Sequence, residues 1–224
     1  MYIIDDASTD SSVEVAKRTA NQDPRIHIIE NEYNMSAVYN KTINFVNHAK
    51  PQDEDVIITL DGDDYLLHNK VLSYLRGVYK EDVWLTYGGA IIPEGQQVAA
   101  HWFQAVDWRV SLRNQGFCLT HLRSHKFFLL KNVKNKDLRY QTGGLFRYPE
   151  DIILFIPMAE MAGEEHCRHL KQKSYFYNMH DNCDFAEPEK DRHIGAIVAH
   201  DLSFRKPYKI KTREQLINCE CDWG

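Results

Sequence analysis

Three short apolar runs separated by segments of helical period fill the start of the chain, and this alternation constrains the fold more than any other feature. The runs are Tyr2-Ile3-Ile4, Arg25-Ile26-His27-Ile28-Ile29 and Asp55-Val56-Ile57-Ile58-Thr59-Leu60. Val13, Ala16 and Ala20 recur at helical spacing, and Ser11 and Glu14 stand at capping-box distance, so a crossover helix is expected over residues 11–20. A second helix is expected from about Ser36 to Ala49, closed by Pro51. Near-continuous apolar strands alternating with helices build parallel sheets with right-handed crossovers, and such sheets take ligands at the carboxyl ends of their strands. The first and third runs end in Asp5-Asp6 and in Asp61-Gly62-Asp63-Asp64, so both acidic groups are expected on that rim.

Further on, a helix is expected over residues 70–79, a strand over 83–87 and a turn at Gly88-Gly89. The second half reads as α+β. Gly143-Gly144 precedes an apolar helix that begins near Glu150, and Ser174 to Asn178 forms a late strand. No repeat, linker or low-complexity tract marks a boundary, so the expectation is one domain over residues 1–224.

Charge and composition exclude several classes. A net charge of -5 gives no overall basic footprint for nucleic acid, and anionic substrates then need a local remedy such as a metal. The longest apolar run, Ile152 to Ala162, is broken by Pro157 and Glu160 and falls well short of the roughly 20 residues that span a bilayer. The opening lacks the basic and apolar regions of a secretory signal, which sets the expectation of a cytoplasmic or partner-recruited protein. Five scattered cysteines lack zinc-site spacing and read as mostly free thiols; the close pair Cys219 and Cys221 reads as incidental.

Asp61, Asp63 and Asp64 on one strand-end turn repel one another unless a cation sits among them. Mg²⁺ or Mn²⁺ suits this arrangement, because such ions take oxygen ligands, keep waters and are completed by substrate phosphates. A solvated turn is the plain alternative for a bare Asp-x-Asp. A phosphohydrolase is disfavoured, since its Asp-x-Asp is followed by Gly-Thr and here Tyr65 follows Asp64.

The segment Ile3-Ile4-Asp5-Asp6-Ala7-Ser8-Thr9-Asp10-Ser11-Ser12 resembles the second-strand signature of family 2 glycosyltransferases. Asn34-Met35-Ser36-Ala37-Val38-Tyr39-Asn40 is similar to the family's segment before its third strand, and Thr59-Leu60-Asp61-Gly62-Asp63-Asp64 to its metal motif. The likeness is close over residues 2–90 and loose beyond. It implies an A-type, Rossmann-like three-layer α/β fold with a mostly parallel central sheet, residues 1–90 binding a nucleotide sugar and residues 91–224 an acceptor. It also implies inverting transfer from a nucleotide-diphosphate donor, UDP-linked by expectation, to an acceptor hydroxyl, with Mn²⁺ or Mg²⁺.

By position the resemblance gives Asp6 contact with the base, Asp61 with ribose or metal, and Asp63 as metal ligand with Asp64 supporting it. Asp5, Asn34 and Asn40 lie in the matching blocks and join the donor-binding candidates. The family's base opens a helix that runs to a glycine, which Pro149-Glu150-Asp151-Ile152 to Gly163 resembles; Asp151 is the candidate and Glu150 the runner-up. The plain alternatives are that Asp6 stabilises the dipole of the helix over 11–20 and that Glu150 and Asp151 only cap theirs. His180 is a further metal or diphosphate candidate. Arg123, with His121, is a candidate for contact with the diphosphate or acceptor. Trp102, Phe103 and Trp108 are suited either to stacking on a sugar or to core packing.

Two departures from the family stand out. Its opening strand and helix have no counterpart here, leaving a strand edge expected to weaken donor binding, invite self-association or receive a completing partner chain. Tyr39 stands where many members carry a basic residue. A degenerate, non-catalytic nucleotide-sugar or glycan-binding module and a metal-dependent nucleotidyltransferase remain open alternatives; the sugar and the acceptor are not legible.

Overall fold

The computed structural model describes residues 1–94, 104–115, 118–140, 142–147, 149–179 and 204–223. The first run forms strand β1 (Tyr2–Asp5), helix α1 (Ser12–Ala20) crosses over, and strand β2 (His27–Glu30) pairs with β1 in parallel, Tyr2 opposite His27 and Asp5 opposite Glu30. The expected capping box is absent: Ser11 makes no side-chain cap, and Asp10 instead accepts the Ser12 N–H at 2.9 Å.

Helix α2 follows in three joined stretches, Ala37–Tyr39, a π turn over Asn40–Asn44, and Phe45–Ala49, and ends at Lys50 in a left-handed conformation just before Pro51. The π turn carries a buried polar ladder. The Asn40 amide oxygen accepts from Asn31 at 2.8 Å and from Asn44 at 3.0 Å, which locks α2 to the end of β2.

The third apolar run becomes strand β3 (Val56–Thr59), yet it does not pair with β1 or β2. It runs antiparallel to strand β7 (Arg123–Lys126), in a sheet ordered β3-β7-β5-β8 with β5 at Leu85–Tyr87 and β8 at Cys167–His169. A small third sheet is ordered β4-β9-β6, from Tyr65–Leu66, Tyr175–Phe176 and Ala90–Ile91. The β1–β2, β5–β8 and β6–β9 pairs are parallel and the others antiparallel, so the sheets are mixed where a mostly parallel one was expected.

The element responsible, β7, reads Arg-Ser-His-Lys and has no apolar strand signature. It tolerates burial because its polar groups are paired. The Ser124 hydroxyl lies 2.6 Å from Thr86 Oγ1 and 2.9 Å from the Tyr79 hydroxyl, and Arg123 meets carboxylates described below.

The core gathers around helix α5 (Glu150–His166), which packs on β5, on β8 and on the short helix α4 (Phe127–Leu130). Ile153, Leu154, Phe155, Met158, Ala159 and Met161 of α5 and all of α4 are buried, and each such leucine or phenylalanine contributes about 1.5–3 kcal/mol. Helix α3 (Val71–Val78) buries Val71, Leu75 and Val78 in a second cluster with Leu122 and Tyr175. Gly163 interrupts α5 with φ +71° and ψ 176°, a backbone that favours glycine, and a Cβ there would lie 3.2 Å from the exposed Ile210 side chain. Helix α6 (Arg213–Ile217) starts with a complete capping box between Thr212 and Gln215. No helix among the described residues is long and apolar enough to cross a membrane.

Candidate active site

Four elements deliver charged side chains to one place: the loop after β3, the π turn of α2, the start of β7 and the start of α5. Lys41, on the π turn, donates from Nζ to Asp61 Oδ1 at 2.8 Å and to Glu150 Oε1 at 2.5 Å. Arg123 Nη1 lies 3.2 Å from Asp151 Oδ2, and its Nη2 lies 3.8 Å from Asp61 Oδ2. Its side chain is 2% exposed, so the guanidinium underlies the carboxylates and is not open to solvent.

Asp61 Oδ2 also lies 3.1 Å from His121 Nε2, and Asp61, Asp64 and His121 each offer a ligand atom within 4.8 Å of the others. Asp64 is held from β9: the Tyr175 hydroxyl donates to Oδ2 at 2.5 Å and the Asn178 N–H to Oδ1 at 2.7 Å. Tyr175 stacks on the His121 ring at 4.8 Å, and Tyr177 also stacks on it at 5.5 Å. Asp63 is exposed next to this group and outside it.

The charges perturb one another in readable directions. Burial alone raises the Asp61 carboxyl, but Lys41, the His121 hydrogen bond and Arg123 hold it well below the usual range. Glu150 is likewise lowered against its burial, chiefly by Lys41. Asp151 goes the other way, pushed up to about 6 by burial and by neighbouring Glu150, with Arg123 only partly compensating. His121 is lowered to about 4 by burial and by Arg123, whose Nη2 lies against the same Nε2 that faces Asp61, so its imidazole is neutral near pH 7 and takes up an ion only as Arg123 yields that nitrogen. Burial also raises Asp64.

Around neutral pH, the carboxylates of Asp61, Asp64, Glu150 and Asp151 face the permanent cations Lys41 and Arg123, an excess of about two negative charges. Two carboxylates and a neutral imidazole form an oxygen-rich donor set that suits Mn²⁺ or Mg²⁺, and a divalent ion matches the excess charge. The residues present fit the expected metal.

The other candidates fall as follows. Asp6 accepts from Asn31 Nδ2 at 2.8 Å and from the Met35 and Ser36 N–H groups at 2.7 and 3.0 Å, bonds that outweigh its burial and lower its pKa. It therefore secures the entry to α2. The Asp5 carboxylate accepts a local bond from the Ser8 N–H, and its carbonyl accepts the Asn31 N–H at 3.0 Å. Asn34 is exposed and accepts from Arg147. Asn40 is buried, its amide oxygen engaged in the ladder with Asn31 and Asn44. His180, Trp102 and Phe103 lie outside the described residues; Trp108 packs partly buried against the core.

Sequence reasoning did not single out Lys41 or Tyr175. Lys41 lies two positions beyond Tyr39, and the π turn, invisible to a 3.6-residue period, brings its amine to the carboxylates. Tyr175 carries no signal beyond an apolar strand pattern.

A β–α–β unit beside a mixed sheet, with carboxylates from a strand end and a helix start converging on one rim, matches the A-type glycosyltransferase fold. The chain belongs to glycosyl transferase family 2, whose sequence profile matches residues 1–153. It is 24% identical over 147 residues to an uncharacterized glycosyltransferase of Haemophilus influenzae, covering 62% of this chain and 57% of that protein. Its fold is similar to that of S. aureus TarS residues 1–349 in complex with UDP-GlcNAc, with TM-score 0.63, 15% identity, and coverage of 96% of this chain and 60% of that one. A second S. aureus TarS structure is matched with TM-score 0.55 and 16% identity over 93% of this chain and 35% of that one. The chain thus spans less than two thirds of the proteins it matches.

Proposed function

We propose that this domain transfers a sugar from a UDP-linked donor to an acceptor hydroxyl with inversion, using Mn²⁺ or Mg²⁺ held by Asp61, Asp64 and His121, with Asp63 at the open edge. The observation that carries the reading is the pairing of an under-compensated carboxylate cluster with a separate carboxyl, Asp151, whose pKa of about 6 suits proton removal near neutral pH. That the TarS structure holds UDP-GlcNAc supports a UDP-sugar donor.

Asp151 takes the proton of the acceptor hydroxyl while that oxygen forms a bond to the anomeric carbon. The bond from that carbon to the diphosphate breaks with its electron pair, and the nucleoside diphosphate leaves from the opposite face. Arg123 positions Asp151 and keeps it ionised for that role. Lys41 holds Glu150 and Asp61 apart from each other's charge. Asp6 and Asn34 contribute to the nucleotide side, with Asp5 behind them. A bound divalent ion would supply charge neutralisation for the diphosphate.

One observation favours a rival, a non-catalytic nucleotide-sugar module: Lys41 already neutralises part of Asp61. The two readings separate in an assay of UDP release from a panel of UDP-sugars with Mn²⁺. Transfer predicts release that chelation abolishes and that Asp151→Asn lowers by about 10²–10⁴-fold. Release unaffected by either, or none at all with donor bound, rejects it.

A further inference from the structure

The chain is acidic overall, yet six of its 27 lysines and arginines line one pocket. Lys134, Lys136, Arg205, Lys206, Lys209 and Lys211 line a pocket of about 580 Å³, with Asp137 the one acid on its described wall. That acid is already engaged, since the Tyr208 hydroxyl donates to it at 2.5 Å and Arg205 lies 3.5 Å away. The adjoining turn adds Asp222, which accepts from the Asn135 N–H. Lys134, Lys136, Lys206 and Lys209 are exposed, and Lys211 donates to the neutral amide oxygen of Asn132. Lysine charge therefore dominates the pocket.

The pocket is also built into the fold. Arg113 clamps Glu160 with bonds of 2.6 and 2.7 Å, both side chains buried, and Glu160 in turn accepts the Tyr208 N–H at 2.9 Å. The Lys211 N–H donates to the Met161 carbonyl at 3.0 Å. The basic segment is thus stitched to α5, the helix whose first turn carries Glu150 and Asp151. From Asp151 to Glu160 the helix rises about 14 Å, at 1.5 Å per residue.

We infer that this pocket binds phosphate groups of a phosphate-rich acceptor, anchoring the acceptor along α5 while its reacting hydroxyl reaches Asp151. Several cationic side chains around one engaged acid suit a ligand that carries many negative charges, and lysines bind phosphate as point charges without the bidentate fork that arginine offers to phosphate and carboxylate alike. Here Arg205 spends Nη1 and Nη2 on the carbonyls of Lys136, Asp137 and Arg139. The acceptor role rests on the transferase reading; the binding of phosphate does not.

Fluorescence anisotropy with labelled short-chain polyphosphate tests the pocket on the full chain. The wild type is expected to bind with an affinity that falls as salt rises, and Lys134→Ala/Lys206→Ala/Lys209→Ala to bind at least about tenfold more weakly, through fewer released counterions. The three lysines are exposed, and an unchanged far-UV spectrum and melting curve confirm the variant's fold. UDP with Mn²⁺ should not compete, and their own binding should be equal in both proteins. Equal polyphosphate affinity in the variant, displacement by UDP, or stronger capture by anionic lipid vesicles than by polyphosphate would each overturn the assignment. A failure of UDP to bind bears on the donor reading alone.

Discussion

Replacing Lys41 by glutamine tests the charge balance of the site where it is most exposed to measurement. The amine makes two charge-assisted hydrogen bonds, 2.8 Å to Asp61 and 2.5 Å to Glu150, and its side chain is 24% exposed. Bonds of this kind contribute about 1.5–3 kcal/mol each, and partial solvation moves them toward the lower end. The carboxylates left behind are then opposed by Arg123 alone, and breaking one partner of a buried pair is costly. The expected loss is about 2–4 kcal/mol, read as a lower urea midpoint at unchanged m. Mn²⁺ should then stabilise Lys41→Gln more than the wild type, because an ion that binds only the folded state adds stability that grows with the logarithm of its affinity, and the competing amine is gone. A loss below about 0.5 kcal/mol, smaller than typical for a buried pair, or equal Mn²⁺ stabilisation of both proteins, refutes the argument.

Three further outcomes follow from the same geometry. Since Asp151 must be ionised to accept a proton and titrates near 6, activity should rise with pH through that value and level off above it; Arg123→Gln, which removes the charge opposing the upward shift, should move the rise to higher pH. A pH profile with no limb in that region argues for another base. Gly163→Ala should destabilise by about 1–3 kcal/mol in thermal or chemical denaturation, because alanine must adopt φ +71° against Ile210, and a neutral effect contradicts the strain. Among the described residues β1 pairs only with β2, and β3 only with β7, so each keeps an edge without a strand; light scattering should show association that grows with concentration, and a strict monomer contradicts it.

The elements with strong periodic signatures were legible from residue types. The β1–α1–β2 unit, α2, β3, α3 and the helix from Glu150 to the Gly163 turn all lie within a few residues of expectation, because buried strands and amphipathic helices announce themselves in apolar spacing. The place of Asp61 and Asp64 at the end of β3 followed from the strand pattern, whereas Glu150 and Asp151 were singled out through the family resemblance. What escaped was encoded by tertiary pairing. β7 is a polar strand whose burial depends on partners distant in sequence, such as Thr86 and Tyr79 for Ser124. That pairing also explains why β3 joins an antiparallel neighbour. Lys41 enters through a π turn, Tyr175 through a two-residue strand, and Arg123 is committed to Asp151 and Asp61 in place of an exposed ligand position. A net charge of -5 likewise concealed the lysine pocket, since a sum carries no information about segregation.

The central claim, a divalent cation gripped by Asp61, Asp64 and His121 beside the donor diphosphate, is tested most directly by anomalous diffraction from crystals grown with Mn²⁺ and UDP. The account predicts one strong manganese peak within coordination distance of those three side chains, absent from Asp61→Asn crystals. A peak elsewhere, or UDP bound with no manganese at this cluster, contradicts it.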